Sequence, residues 1–166
     1  MIRLFMRLYA WFRGLFDKKK PVKDSYIEAV IKECDIDKYS RIINDLPYRS
    51  DKIGGFIDRT ASIEHFFDIN VASDRDCDDF ARAWSYWGNY HGYDAYEYII
   101  LNPCRPFRTA HVVTVLQKGR EIILCNYRPY WRDFKSRDEA VEYMENLWAS
   151  YKNGLRYVLY KEFRAA

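Results

Sequence analysis
The chain is sparing with the side chains that catalysis and metal binding use most. It holds three histidines (His65, His91 and His111) and a single glutamine, Gln117, in 166 residues. An imidazole base therefore has to be one of three. A glutamine oxyanion donor upstream of any nucleophile that precedes Gln117 is excluded. Cys34, Cys77, Cys104 and Cys125 include no CxxC pair, which argues against a zinc ribbon. No uncharged apolar run approaches the roughly 20 residues that a membrane span needs. The N-terminal apolar stretch is interrupted by arginines and lacks a small-residue cleavage site, so a signal peptide is not expected. Without one, free thiols in a reducing, cytoplasmic setting are the expectation, and two disulfides the alternative. Repeats and low-complexity tracts are absent.

What remains is an ordinary globular composition, 49% hydrophobic and 31% charged, with aromatics high at 18%. The length fits one domain with a real core. Fifteen tyrosines and five tryptophans point to a packed, sheet-rich interior. The net charge of +3 does not by itself indicate nucleic acid, and no nucleic-acid partner is expected. Arg105, Arg108, Arg128 and Arg132, set among Phe107, Tyr127, Tyr130 and Trp131, suit a solvated sheet rim or the wall of a cleft for an acidic substrate.

The positive charge sits in residues 1–20, which carry six basic residues and one acidic, while the rest of the chain is slightly acidic. A basic amphipathic helix is expected there, Arg3 and Arg7 being one helical step apart among Ile2, Phe5, Met6, Leu8, Tyr9, Phe12 and Phe16. Such a helix can lie on the inner face of a membrane as a peripheral anchor, or dock on this domain or on a partner. Residues 21–166 form the single domain. A helix capped by Asp24 or Ser25 is expected over 26–33, with Ile27, Val30 and Ile31 on one face. Residues 35–57 are expected to be irregular with a short helical piece, and 62–67 a brief helix. A longer helix over 77–91 buries Phe80, Ala81, Ala83, Trp84 and Trp87 and ends at Gly92. Strands follow at 95–101, 111–117 and 121–127, the last two joined by a tight turn at Lys118–Gly119. Ser136 and Glu139 open a helix to about residue 152, and 155–163 reads as a final strand. The class is α+β.

Three residues carry the chemistry. Cys77 opens its helix, where unpaired N–H groups and the positive end of the dipole favour a thiolate. Asp76 and Asp78 oppose this, so a histidine partner is needed. The plain alternative is a buried, inert thiol. His111 opens a strand of alternating character, so its ring can stand on the face that meets a packed helix. His91 lies near the far end of the Cys77 helix, about 20 Å away at 1.5 Å per residue, and cannot be the base. His65 more plainly serves loop packing. Asn126, on the strand paired with that of His111, can accept the imidazole N–H and fix its tautomer, or serve as turn chemistry alone.

The segment DCDDFARAWSYWGNYHGYDAYEYIIL, followed by AHVV and IILCN, resembles the bacterial transglutaminase-like cysteine proteinases over about residues 74–127. The resemblance implies a papain/transglutaminase-like fold, with the helix carrying Cys packed on an antiparallel sheet carrying His and Asn. It implies a thiol hydrolase, a peptidase or amidase, that works through a thioester on a protein or peptide substrate. Cys77 would be nucleophile, His111 general base and then acid, and Asn126 the orienting member. Arg75 stands where that family usually has Gly, and Cys125 where one register would put its acidic member. The other register puts Asn126 there. No cofactor is required, although Asp76 and Asp78 match positions that hold calcium in some relatives. Acidic residues in a first helical turn also simply complement the dipole. Two other readings use the same fold: an inactive binding module, and an acyltransferase or cross-linker. The second oxyanion donor would come from a backbone N–H or a Tyr/Trp side chain near residues 60–67. Small size fits a bacterial or phage protein.

Overall fold
The computed structural model describes residues 22–48, 62–68, 75–100, 111–127, 129–151 and 163–164. The expected N-terminal helix, Cys104 and the stretch 49–61 lie outside them. Helices α1 (Ser25–Glu33), α2 (Ile36–Asn44), α3 (Ile63–Phe67) and α4 (Cys77–Tyr90) precede strands β1 (Asp94–Ile100), β2 (His111–Lys118), β3 (Glu121–Cys125) and β4 (Tyr130–Trp131). Helix α5 (Arg137–Tyr151) and the short β5 (Phe163–Arg164) complete the order. All strand pairs are antiparallel, in the order β4-β3-β2-β1-β5. The fold is α+β. Among the described residues no helix is long and apolar enough to cross a membrane.

The ends of these helices are set by side chains on either side of them. Asp24 accepts the N–H groups of Tyr26 and Ile27 at 2.8 and 3.2 Å, and Asp35 accepts that of Lys38 at 2.7 Å. Helix α2 is longer than the short piece expected in an irregular stretch. Its cap Asp35 and the buried set Ile36, Tyr39, Ser40 and Ile43 follow helical spacing, a signal masked by the Pro and Gly residues downstream. At the end of α4, Gly92 (φ 76°) donates to Asn89 O at 3.1 Å and Tyr93 N–H to Gly88 O at 2.8 Å. This is the left-handed glycine stop expected at that residue. The hairpin loop falls one residue later than expected: Lys118 pairs with Glu121, which leaves Gly119 (φ 59°) and Arg120 in the turn. At α5, Ser136 Oγ accepts the Glu139 N–H at 3.1 Å, while Glu139 reaches back to Lys135 N–H rather than to Ser136.

The sheet separates two cores. On one face Ala95, Leu116, Ile123 and Cys125 meet α1, α2, α3 and α4. On the other Tyr96, Tyr98, Ile100, Val113, Val115, Ile122 and Leu124 meet Ala140, Val141 and Met144 of α5. Helix α4 is the centre of the first core. Its residues from Asp78 to Gly88 are all buried, not only the single face expected, because helices cover the side turned away from the sheet. It is held tightly: a Cβ on Gly88 would come within 2.4 Å of Leu116 Cδ2. Thr114 Oγ1 donates to Ala81 O at 2.7 Å, and Arg82 pairs with Glu97 at 3.1 Å, both across the α4–sheet interface.

Candidate active site
Helix α4 starts in a reciprocal cap. Asp76 accepts the Asp78 N–H, and Asp79 Oδ2 accepts the Asp76 N–H, each at 3.3 Å. Cys77 is the first helical residue, half-buried, against a small cluster of Ala81, Ile99 and Val112. Just upstream, Arg75 is 1% exposed and donates through Nε to Phe66 O at 2.6 Å and through Nη2 to Asp68 O. The arginine found where the resembled family has glycine is thus a strut, tying the end of α3 to the start of the cysteine helix.

The carboxylates of Asp76, Asp78 and Asp79 gather with ligand atoms within 4.8 Å of one another. An all-oxygen set of this kind matches calcium chemistry, although three carboxylates supply only part of the six to eight oxygens calcium takes. Capping accounts for the placement of Asp76 and Asp79 without any ion.

The strongest geometry joins His111 to Asn126. The ring Nε2 lies 2.8 Å from Asn126 Oδ1. The Tyr127 backbone N–H also donates to that Oδ1 at 2.8 Å, which identifies the atom as the carbonyl oxygen and not the amide nitrogen. Asn126 therefore accepts from His111 Nε2–H, and Nδ1 is left as the basic nitrogen. The Asn126 backbone is held as well: its N–H donates to Pro129 O at 2.9 Å, and its O accepts the Trp84 indole N–H at 2.9 Å. Trp148 of α5 stacks on the imidazole at 4.4 Å with the planes 11° apart. Burial pushes the pKa of His111 down to about 4, with the Asn126 hydrogen bond working the other way.

Of Cys125 and Asn126, it is Asn126 that bonds the His111 ring. Cys125 is fully buried on the α4 face and its thiol is pushed up by that burial, so it is packing. Strand alternation then turns Asn126 towards the face of His111. The face itself differs from expectation. The helix that covers His111 is α5, through Trp148, and not the cysteine helix. Cys77 and His111 stand at the same end of the sheet, since Ile99 pairs with Val112 and Ile100 with His111. They approach from opposite faces, and Tyr127 stands between the two layers, edge-on to His111 at 6.3 Å and to Phe80 at 6.0 Å.

His91 is structural, as its position implied: Nε2 meets Ile31 O at 3.0 Å and the ring stacks on Trp87 at 4.2 Å. His65 sits in α3, whose N-cap Ser62 accepts the His65 backbone N–H at 3.2 Å. Cys34, Cys77 and Cys125 are free thiols. Two contributors have no local sequence signal: Trp148 and the Trp84 indole bond to Asn126. Each acts through a contact that only the tertiary fold creates, although a buried indole N–H always needs a partner. Comparison with family models, with curated proteins and with solved structures finds no match to the chain.

Proposed function
We propose that the chain is a thiol-dependent hydrolase of peptide or amide bonds, on a transglutaminase-like arrangement in which Cys77, His111 and Asn126 act in sequence. The observation that carries this reading is the His111–Asn126 hydrogen bond, with the acceptor oxygen fixed by Tyr127 N–H. It leaves Nδ1 of a neutral imidazole as the available base; because Cys77 stands at the same end of the sheet but on its other face, the reading requires the proton to pass around that edge, past Tyr127, as sulfur attacks a carbonyl. The resulting imidazolium returns the proton to the leaving amine, and water then cleaves the thioester by the reverse sequence. The Cys77 N–H, at the start of α4, can serve as one oxyanion donor.

The test is the pH profile of Cys77 alkylation by iodoacetamide in the native chain and in His111→Ala. If neutral His111 takes the thiol proton, native alkylation should already be fast at pH 6. In His111→Ala the rise should come only at about pH 8.5, with a loss of about 10- to 100-fold at pH 6. Slow alkylation with the same profile in both proteins would leave an inactive binding module. If the thiol is activated, product analysis with an added amine separates hydrolysis from acyl transfer. Calcium on Asp76 and Asp78 would be a second use of the Asp76 cap, with the Asp78 carboxylate beside it. Millimolar calcium should then raise the melting temperature and Asp78→Asn remove the rise; melting unaffected by calcium or chelator would eliminate the ion.

A further inference from the structure
Tyr48 follows α2, outside the 60–67 stretch where the sequence places a second oxyanion donor. Its ring centroid lies 6.3 Å from that of Phe80, with the planes 29° apart, and 5.1 Å from that of Tyr127. Phe80 is one helical turn beyond Cys77, and Tyr127 is the residue whose ring meets His111 edge-on. Tyr48 is therefore wedged between the start of the cysteine helix and the loop that holds Asn126. Even so, it keeps 42% of its surface open to solvent, so a substrate can reach it.

We propose that the Tyr48 hydroxyl is the second donor to the oxyanion formed when Cys77 attacks a carbonyl, an inference that rests on the hydrolase reading above. That exposure leaves the hydroxyl within reach of an incoming oxygen. Its ionisation reports where it sits. Burial raises it most, followed by the negative groups of Cys77, Asp76, Tyr127 and Asp78. The phenol thus keeps its proton across the working pH range. As the Sγ–C bond forms, the carbonyl π pair moves onto oxygen, and the Tyr48 O–H and Cys77 N–H meet the new charge. When the pair returns, the leaving group departs and the thioester remains.

Two reactions of the same sulfur separate this role from others. Acylation by p-nitrophenyl acetate passes through an oxyanion; alkylation by iodoacetamide is a displacement at carbon and does not. Both are measured at pH 7 on the full chain and on Tyr48→Phe, which keeps the ring and its packing. The p-nitrophenolate burst should slow about tenfold or more in Tyr48→Phe, while alkylation stays within about twofold. Equal slowing of both reactions would make Tyr48 a support for the thiolate, and no slowing of either would leave it without a role. Either result overturns the proposal and leaves the hydrolase reading intact. A native chain with no burst and no His111-dependent alkylation overturns both.

Discussion

Arg75→Met should lower the melting temperature by about 10 °C, an effect as large as that of deleting a buried aromatic side chain. Methionine fills most of the aliphatic volume of arginine but donates nothing. The carbonyls of Phe66 and Asp68, which accept from Nε and Nη2, would lose their charged donor at the negative end of α3. Charge-assisted hydrogen bonds of this kind contribute about 1.5–3 kcal/mol each, and a buried acceptor left bare costs its own desolvation, so about 3–5 kcal/mol is expected in all. At roughly 2–4 °C per kcal/mol for a domain of this length, the shift is easily read by circular dichroism. Arg75→Lys should recover less than half of it, because an ammonium cannot span two carbonyls as a planar fork does. A shift below about 2 °C in Arg75→Met would mean that water replaces the guanidinium, and that the strut is not what holds α3 to α4.

Acidification should cost the native fold roughly 3 kcal/mol between pH 6.5 and pH 4 through His111 alone. Its pKa falls from 6.5 to about 4 on folding, because burial disfavours the imidazolium. The unfolded chain therefore takes up the proton first. This contribution is complete above pH 6.5, shrinks as pH falls through that value and is gone by about pH 4. Carboxylates begin to titrate at the lower end, so urea unfolding between pH 5 and 7 gives the cleanest slope. His111→Gln should flatten that slope by the share belonging to His111. Parallel slopes in the two proteins would show that the ring is hydrated and not sealed under Trp148.

Those two residues also mark where the sequence could be read and where it could not. Local features were legible because their causes are local. Asp24 caps the helix that follows it, and Gly92 ends α4 at the expected residue. The His111–Asn126 pairing was legible too, since a short hairpin brings the two strands together. The role of Arg75 was not, because a buried guanidinium looks like any surface arginine until the carbonyls it serves are in view. Nor was the face of His111. A strand-opening residue has a parity but no label for the layer it meets, and the layer is decided by the packing of α4 and α5. The position of Asn126 relative to Cys125 rests on the same parity: once Cys125 is seen among Trp84, Leu116 and Ile123, its neighbour has to turn the other way.

The stacking of Trp148 on His111 has a consequence for how acidity is inherited in this molecule. The ring that would move the proton belongs to a strand in the middle of the chain, but the surface stacked on it is contributed by Trp148, more than thirty residues later. Proton affinity at the candidate site is then a reading of how firmly α5 is seated. Fraying of that helix would admit water to the imidazole and restore the titration of an ordinary histidine while the rest of the sheet still stood.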